Sequence, residues 1–214
     1  MNIPETTRNI YAIGRNYVKH IEELGNKRPD EPIIFAKSLA SLTSLHHLLF
    51  PALLDPIHHE LELVLRIGAP VPMGAYRDLS IVSHMGLGLD FTARGEQTRV
   101  MQAGLPWHMS KSFQNACYLD GMTENFDLSK PFHFLLHCNG ELRQQGDSSH
   151  MIFSFDDMLK VINRTIAFHV GDLIFTGTPA GVGPVVAGDE LRISCPELDV
   201  KQTLTVGFAA SEPV

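Results

Sequence analysis

Residues 57–67 read I-H-H-E-L-E-L-V-L-R-I, and the fold turns on how this stretch is placed. Apolar and polar residues alternate with the period of a β-strand. Leu61, Leu63, Leu65 and Ile67 fall on one face, and His58, Glu60, Glu62 and Arg66 on the other. Same-face side chains of a strand stand roughly 6–7 Å apart. Two carboxylates at that spacing beside an apolar face repel each other unless a cation sits between them. A hard divalent ion is the natural candidate. For the pair alone, a solvated strand face carrying two acids is the plain alternative. The rest of the chain decides between them.

The chain has 214 residues, of which 44% are hydrophobic and 19% charged, as in ordinary globular proteins. That is enough for one sizeable domain, and no linker or repeat divides residues 1–214. The net charge of -7, with no basic cluster, argues against nucleic acid as a partner. No apolar run is long enough for a membrane span, and the N-terminal M-N-I-P-E-T-T-R lacks a signal core. Cys117, Cys138 and Cys195 are odd in number and widely spaced, without a C-x-x-C. They predict buried structural thiols in a reducing, cytoplasmic setting rather than disulfides or a zinc-thiolate site. Residues 45–54 are the longest apolar patch, broken by two His and a Pro, and suit either a core segment or a subunit contact.

Outward from the central stretch, N-I-Y-A-I-G at 9–14 and I-I-F-A-K at 33–37 read as strands. Between them Tyr17, Ile21 and Leu24 recur at helical spacing, with Gly25-Asn26 as a stop. His20 and Glu23 are three apart and meet on another face of that short helix. They read either as a surface ion pair or as a carboxylate that orients an imidazole to take a proton from water. Residues 79–89 are largely apolar and end at Asp90, before a turn. Lys111 lies in a weakly charged stretch and says little by itself. Asn139-Gly140 is a hairpin signal between strands ending at Cys138 and beginning at Glu141. Ser154 with Asp157 opens a helix as a capping box, with Phe155, Met158, Leu159, Ile162 and Ile166 inward. The loop T-G-T-P-A-G-V-G-P at 176–184 lacks the G-K-[ST] of a phosphate loop. It is better suited to presenting backbone N–H groups and Thr hydroxyls to a small ligand.

Six motifs in order carry a resemblance. They are G-R-N-Y-V-K-H-I-E-E-L-G, H-H-E-L-E-L, L-D-F-T-A-R, G-L-P-W-H-M-S-K-S-F, N-G-E-L-R-Q-Q-G-D-S-S-H-M-I-F-S and F-T-G-T-P-A-G-V-G-P. From about Ile10 to Val206 the chain resembles the fumarylacetoacetate hydrolase family, nearest its small single-domain acylpyruvate hydrolase and oxaloacetate decarboxylase type. The resemblance implies a mixed, mostly β (α+β) fold: a β-roll of several small sheets around a central metal site, with few short helices. It also implies a homodimer acting on a small 2-oxo acid.

Residue by residue, the resemblance makes Glu60, Glu62 and Asp90 the ligands of a magnesium ion, with manganese accepted. His20 and Glu23 match the catalytic pair on a mobile lid, and Lys111 the lysine that contacts the substrate enolate. Arg94, Gln97 and Thr178 match positions that hold the substrate's carboxylate end. Three carboxylates suit an octahedral oxygen site better than zinc, although His58 and His59 stand beside Glu60. The expected reaction is hydrolysis of the C–C bond of an acylpyruvate through a pyruvate enolate. Oxaloacetate decarboxylation and keto–enol tautomerisation share that enolate and stay open, as does a catalytically silent ligand-binding homologue. Two departures stand out: Gly95 replaces a common Asp, and residues 43–56 lack the usual Pro/Gly-rich character.

Overall fold

The computed structural model breaks residues 57–67 at Glu60. Ile57–His59 and Leu61–Ile67 are separate strands in different sheets, so the single continuous strand expected from the alternation is corrected. Backbone pairing explains the break. Leu61–Ile67 pairs antiparallel with Val82–Asp90, and the Asp90 N–H reaches the Glu60 carbonyl at 2.8 Å. One step earlier, His58 and Ile57 face Thr92 and Ala93 instead. Glu60 is thus the corner at which the chain leaves one sheet for another.

The structure describes residues 7–23, 25, 27–54 and 56–209. Leu24 and Asn26, expected to complete and stop the short helix, lie outside the described residues. Among the described residues the strands form three sheets. The seven-stranded sheet runs Ile33–Lys37, Ile10–Gly14, Leu173–Phe175, Leu61–Ile67, Val82–Asp90, Cys117–Thr123, Leu42–Thr43. The five-stranded sheet runs Glu141–Asp147, His133–Cys138, Glu190–Cys195, Val200–Ala209, His47–Pro51. Gly183–Val185, Ile57–His59 and Thr92–Ala93 make the smallest. The α-helices are short: Val18–Glu23, Arg94–Gln102, His108–Lys111 and Phe155–Asn163. The mostly β architecture of small sheets with few helices is as expected.

The sheet at the centre is buried on both faces, where the alternation predicted one wet face. Leu61, Leu63, Leu65 and Ile67 join the main core. Each fully buried side chain of this kind contributes about 2 kcal/mol. On the opposite face Val64 packs with Ile10, Ala12, Cys117, Leu119, Leu173 and Phe175. The second face closes tightly: a Cβ at Gly88 would stand 2.8 Å from Phe175 Cε1 and 2.9 Å from Val64 Cγ2. Glu62 lies opposite Gly88 in the register, where this second core gives way to polar groups.

Local signals hold elsewhere. Asn139 and Gly140 have φ of 52° and 83°, as a type I′ hairpin turn requires. Ser154 and Asp157 form the reciprocal capping box, and the helix ends at Asn163, leaving Ile166 to pack from the following loop. The apolar patch is in part the core segment expected of it. Leu48 and Phe50 are buried, whereas Leu45, Leu49 and Leu53 are 62%, 43% and 76% exposed along an edge strand and its flanks. All three cysteines are free and buried. Burial pushes the Cys195 thiol up to about 12, as suits an inert thiol. No helix among the described residues is long and apolar enough to cross a membrane.

Two glycine substitutions test this packing with opposite signs. Gly88→Ala is expected to lower stability by about 1–3 kcal/mol through overpacking. Gly95→Ala, exposed in the helix Arg94–Gln102 with Pro56 Cδ at 3.7 Å, is expected to raise it by about 0.5–1 kcal/mol. Urea midpoints of the two variants should move apart, and an unchanged midpoint for Gly88→Ala would contradict the tight second face.

Candidate active site

The corner at Glu60 and the end of the facing strand bring three acids together. Glu60, Glu62 and Asp90 are 5%, 2% and 1% exposed, and one oxygen of each lies within 4.8 Å of the others. Lys111 Nζ donates to Glu60 Oε2 at 2.8 Å and to Asp90 Oδ2 at 2.7 Å. Lys37 Nζ donates to Asp90 Oδ1 at 2.5 Å, and Arg94 Nη2 to Glu60 Oε1 at 2.5 Å. Glu62 has a different partner: the Gly177 N–H donates to its Oε2 at 2.7 Å. Lys37 was not singled out from sequence. Its one signal is a charge closing the apolar run I-I-F-A-K.

Burial acts on every one of these groups, and the neighbours decide the outcome. At Glu60 desolvation raises the carboxyl, but Lys111 and Arg94 outweigh it and hold the group far below its ordinary range. At Glu62 desolvation and the like charges of Asp90 and Glu60 act together and push the carboxyl well up. Burial would discharge Lys111, but Asp90 and Glu60 more than offset it and raise its pKa. A clustered all-carboxylate donor set, with one member crowded by like charge, fits a hard divalent cation. His58 and His59 are outside the cluster. His59 Nδ1 donates to Gln144 Oε1 at 2.9 Å. Burial, then the Arg94 charge, lowers His58 to about 4.

A model of fumarylacetoacetate (FAA) hydrolase C-terminal matches residues 9–205. The chain belongs to the fumarylacetoacetate hydrolase family. It is 34% identical over 190 residues to oxaloacetate tautomerase YcgM of Escherichia coli (strain K12), covering 86% of this chain and 87% of that protein. It is 38% identical over 194 residues to the mitochondrial oxaloacetate tautomerase FAHD1 of Homo sapiens, covering 88% and 87%. Among solved structures, fumarylpyruvate hydrolase from Pseudomonas aeruginosa, in complex with Mn2+ and pyruvate, superposes with a TM-score of 0.87 at 28% identity, covering 95% of this chain and 91% of that one.

In this fumarylacetoacetate hydrolase family chain four of the other expected residues gather around the same acids, and His20 and Glu23 are not among the residues lining that pocket. Arg94, Gln97, Lys111 and Thr178 line a pocket with Glu60 and Asp90. Arg94 and Gln97 are one turn apart on one helix, and Arg94 Nη1 donates to Gln97 Oε1 at 2.5 Å. Thr178 Oγ1 donates to the Leu61 carbonyl at 2.9 Å. Gln144, also missed from sequence, braces this wall. Its carbonyl accepts the Leu61 N–H and His59, and its amide donates to Thr178 Oγ1 and the Pro179 carbonyl. Phe35 and Trp107 supply an aromatic side at 5.9 Å between ring centroids, and Lys111 Nζ sits 5.0 Å from the Phe35 centroid.

His20 and Glu23 occupy the short helix Val18–Glu23, as the spacing predicted. His20 is buried, and its Nδ1 donates to Glu23 Oε2 at 3.4 Å, leaving Nε2 as the acceptor nitrogen. The Gly181 N–H donates to the Glu23 carboxylate at 3.1 Å, which docks the helix onto the 176–184 loop. Desolvation lowers the His20 pKa, against the opposing pull of Glu60 and Glu23, so the imidazole is neutral near pH 7.

The lysine web predicts a stability effect. Lys37→Met removes one of the two ammonium groups on buried Asp90, and is expected to destabilise the metal-free protein by about 3 kcal/mol. Guanidinium unfolding of the two chelator-treated proteins measures it. A loss below about 0.5 kcal/mol, the usual value for a surface pair, would contradict the buried pairing.

Proposed function

We propose that the chain is a divalent-metal-dependent enzyme that interconverts the keto and enol forms of oxaloacetate. The observation that carries this reading is the buried trio Glu60, Glu62 and Asp90, with Lys111 shared between two of them on the wall of the pocket. The naming of the E. coli and human relatives as oxaloacetate tautomerases supports the choice of substrate. Glu60, Glu62 and Asp90 would hold magnesium or manganese. Bound there, the cation supplies Lewis acidity toward the carboxylate and keto oxygens of a 2-oxo acid.

The chain's own residues then move a proton. Neutral His20, steadied at Nδ1 by Glu23, takes the proton on C3 of the keto form with Nε2. Lys111 offers ammonium hydrogen bonds to the negative charge that develops on the substrate oxygen. Arg94, Gln97 and Thr178 orient the carboxylate end. The imidazolium of His20 returns its proton to that oxygen, so that one proton has passed from carbon to oxygen.

A second reading is hydrolysis of a short acylpyruvate. The imidazole–carboxylate pair of His20 and Glu23 and the likeness to a fumarylpyruvate hydrolase support it. Here His20 deprotonates water, which adds to the distal acyl carbonyl, and the C–C bond breaks to leave the enolate of pyruvate. Decarboxylation of oxaloacetate would use the same enolate without water. We further propose a cytoplasmic homodimer: the buried free thiols suit a reducing compartment, and Leu45, Leu49 and Leu53 offer an apolar edge to a second copy.

Two assays test these readings. Enol oxaloacetate is mixed with magnesium-loaded protein and the enol absorbance followed. Ketonisation is expected to accelerate about 100-fold or more through general acid–base catalysis, and to be lost with chelator, Glu60→Ala or His20→Asn. Absence of acceleration, with pyruvate released from acetylpyruvate instead, would replace the first reading by the second. The acidic limb of kcat/KM is expected below pH 6.5, because His20 must be neutral and its pKa is lowered from 6.5. The same shift makes stability fall as pH drops below 6.5: the unfolded chain binds a proton that folded His20 resists. His20→Asn is expected to flatten that slope in thermal unfolding.

A further inference from the structure

Arg15 belongs to none of the roles above. It follows the strand Ile10–Gly14 and precedes the helix Val18–Glu23, and its φ is 60°. A non-glycine residue in the left-handed region costs about 1–2 kcal/mol. Glycine would sit there without strain, so an arginine held in that conformation points to work done by its side chain.

The backbone around Arg15 is fixed from both sides. Gly14 pairs with Ile33 in the large sheet. On the other side Asn16 is fully buried: its Nδ2 donates to the Thr176 carbonyl at 2.8 Å, its Oδ1 accepts the Phe153 N–H at 2.8 Å, and its carbonyl accepts the Ile152 N–H at 2.9 Å. Gly177 packs against it so closely that a Cβ there would stand 2.7 Å from Asn16 Cβ. The arginine is therefore presented from a rigid platform.

Arg15 lines the same pocket as Glu60, Asp90, Arg94 and Lys111. Arg94 and Lys111 each already hold a protein carboxylate. Among the described residues the Arg15 guanidinium has no hydrogen-bond or ion-pair partner. A half-buried cation without a protein acid, in a pocket whose other cations each hold one, keeps its whole hydrogen-bonding fork free for an anion from outside. A guanidinium matches a carboxylate with two parallel hydrogen bonds.

We propose that Arg15 binds the distal carboxylate of a dicarboxylic 2-oxo acid, and so selects substrates with a second negative charge over monoacids. This rests on the reading of the site as a metal-dependent 2-oxo acid enzyme. Because Arg15 lies three residues before the helix that carries His20, the same contact ties recognition of the far end of the substrate to that helix.

Titration calorimetry on magnesium-loaded protein tests it with two inert ligands. Oxalate supplies the metal-binding end alone, and 3,3-difluoro-oxaloacetate, which cannot enolise, adds the distal carboxylate. Arg15→Gly removes the side chain and relieves the left-handed strain, and Arg15→Lys keeps the charge without the fork. Arg15→Gly is expected to weaken the difluoro compound about 30-fold, as for a charged hydrogen bond, with oxalate changed by less than about twofold. Arg15→Lys should fall between. Equal losses for both ligands, or no loss for either, overturn the assignment. Failure of the unmodified protein to bind either ligand overturns the reading of the site itself, and the assignment with it.

Discussion

Three carboxylates buried within a few ångströms of each other are the constraint to which the rest of the molecule answers. Desolvating a charge costs several kcal/mol, and like charges add to that cost. The chain meets it with Lys37, Lys111 and Arg94, each delivered from a different element onto the same acids. Glu62 is the exception, with a backbone N–H and no lysine contact, and its carboxyl is the one driven upward. The site is therefore balanced at two corners and under-compensated at the third, which is the condition in which an added divalent ion relieves most repulsion.

Much of this was legible because it is local. Alternation across Leu61–Ile67, the Asn139-Gly140 turn and the Ser154–Asp157 cap are each determined by residues within a few positions. Glu60 with Glu62, and His20 with Glu23, were legible as candidates from their spacing, whereas the roles of Asp90, Lys111, Arg94, Gln97 and Thr178 came from the family resemblance alone. What could not be read depends on distant partners. The break at Glu60 comes from a change of pairing partner, from Val82–Asp90 to Thr92–Ala93. The second buried face comes from Leu173–Phe175 and Cys117–Thr123 of the same sheet, whose side chains gather beside Val64, which an isolated strand pattern does not contain. Lys37 reads as an ordinary strand end until Asp90, 53 positions away, is placed against it.

The 176–184 loop links parts of the site that the sequence gives no reason to connect. Its Thr176 and Thr178 bond to the carbonyls of Leu63 and Leu61, so the loop extends the edge of the central strand without being a strand itself. Gly177 then serves Glu62, and Gly181 serves Glu23 on the short helix. The short helix and the carboxylate that lacks a lysine are therefore held by one loop, at positions four residues apart. Glycine at 177 is required twice, by its φ of 96° and by the approach of Asn16.

The wall behind Thr178 has its own logic. Gln144 is wholly enclosed and makes four bonds, two as acceptor through its oxygen and two as donor through its nitrogen. Its two ends are consequently not interchangeable. Glutamate, identical in outline, has no hydrogens to give when ionised, and would set an oxygen against the Pro179 carbonyl. Hydrolytic ageing of this one amide would thus unfasten the pocket wall from within while leaving the shape of the side chain unchanged, so the lasting integrity of the site depends on a group remote from any reacting atom.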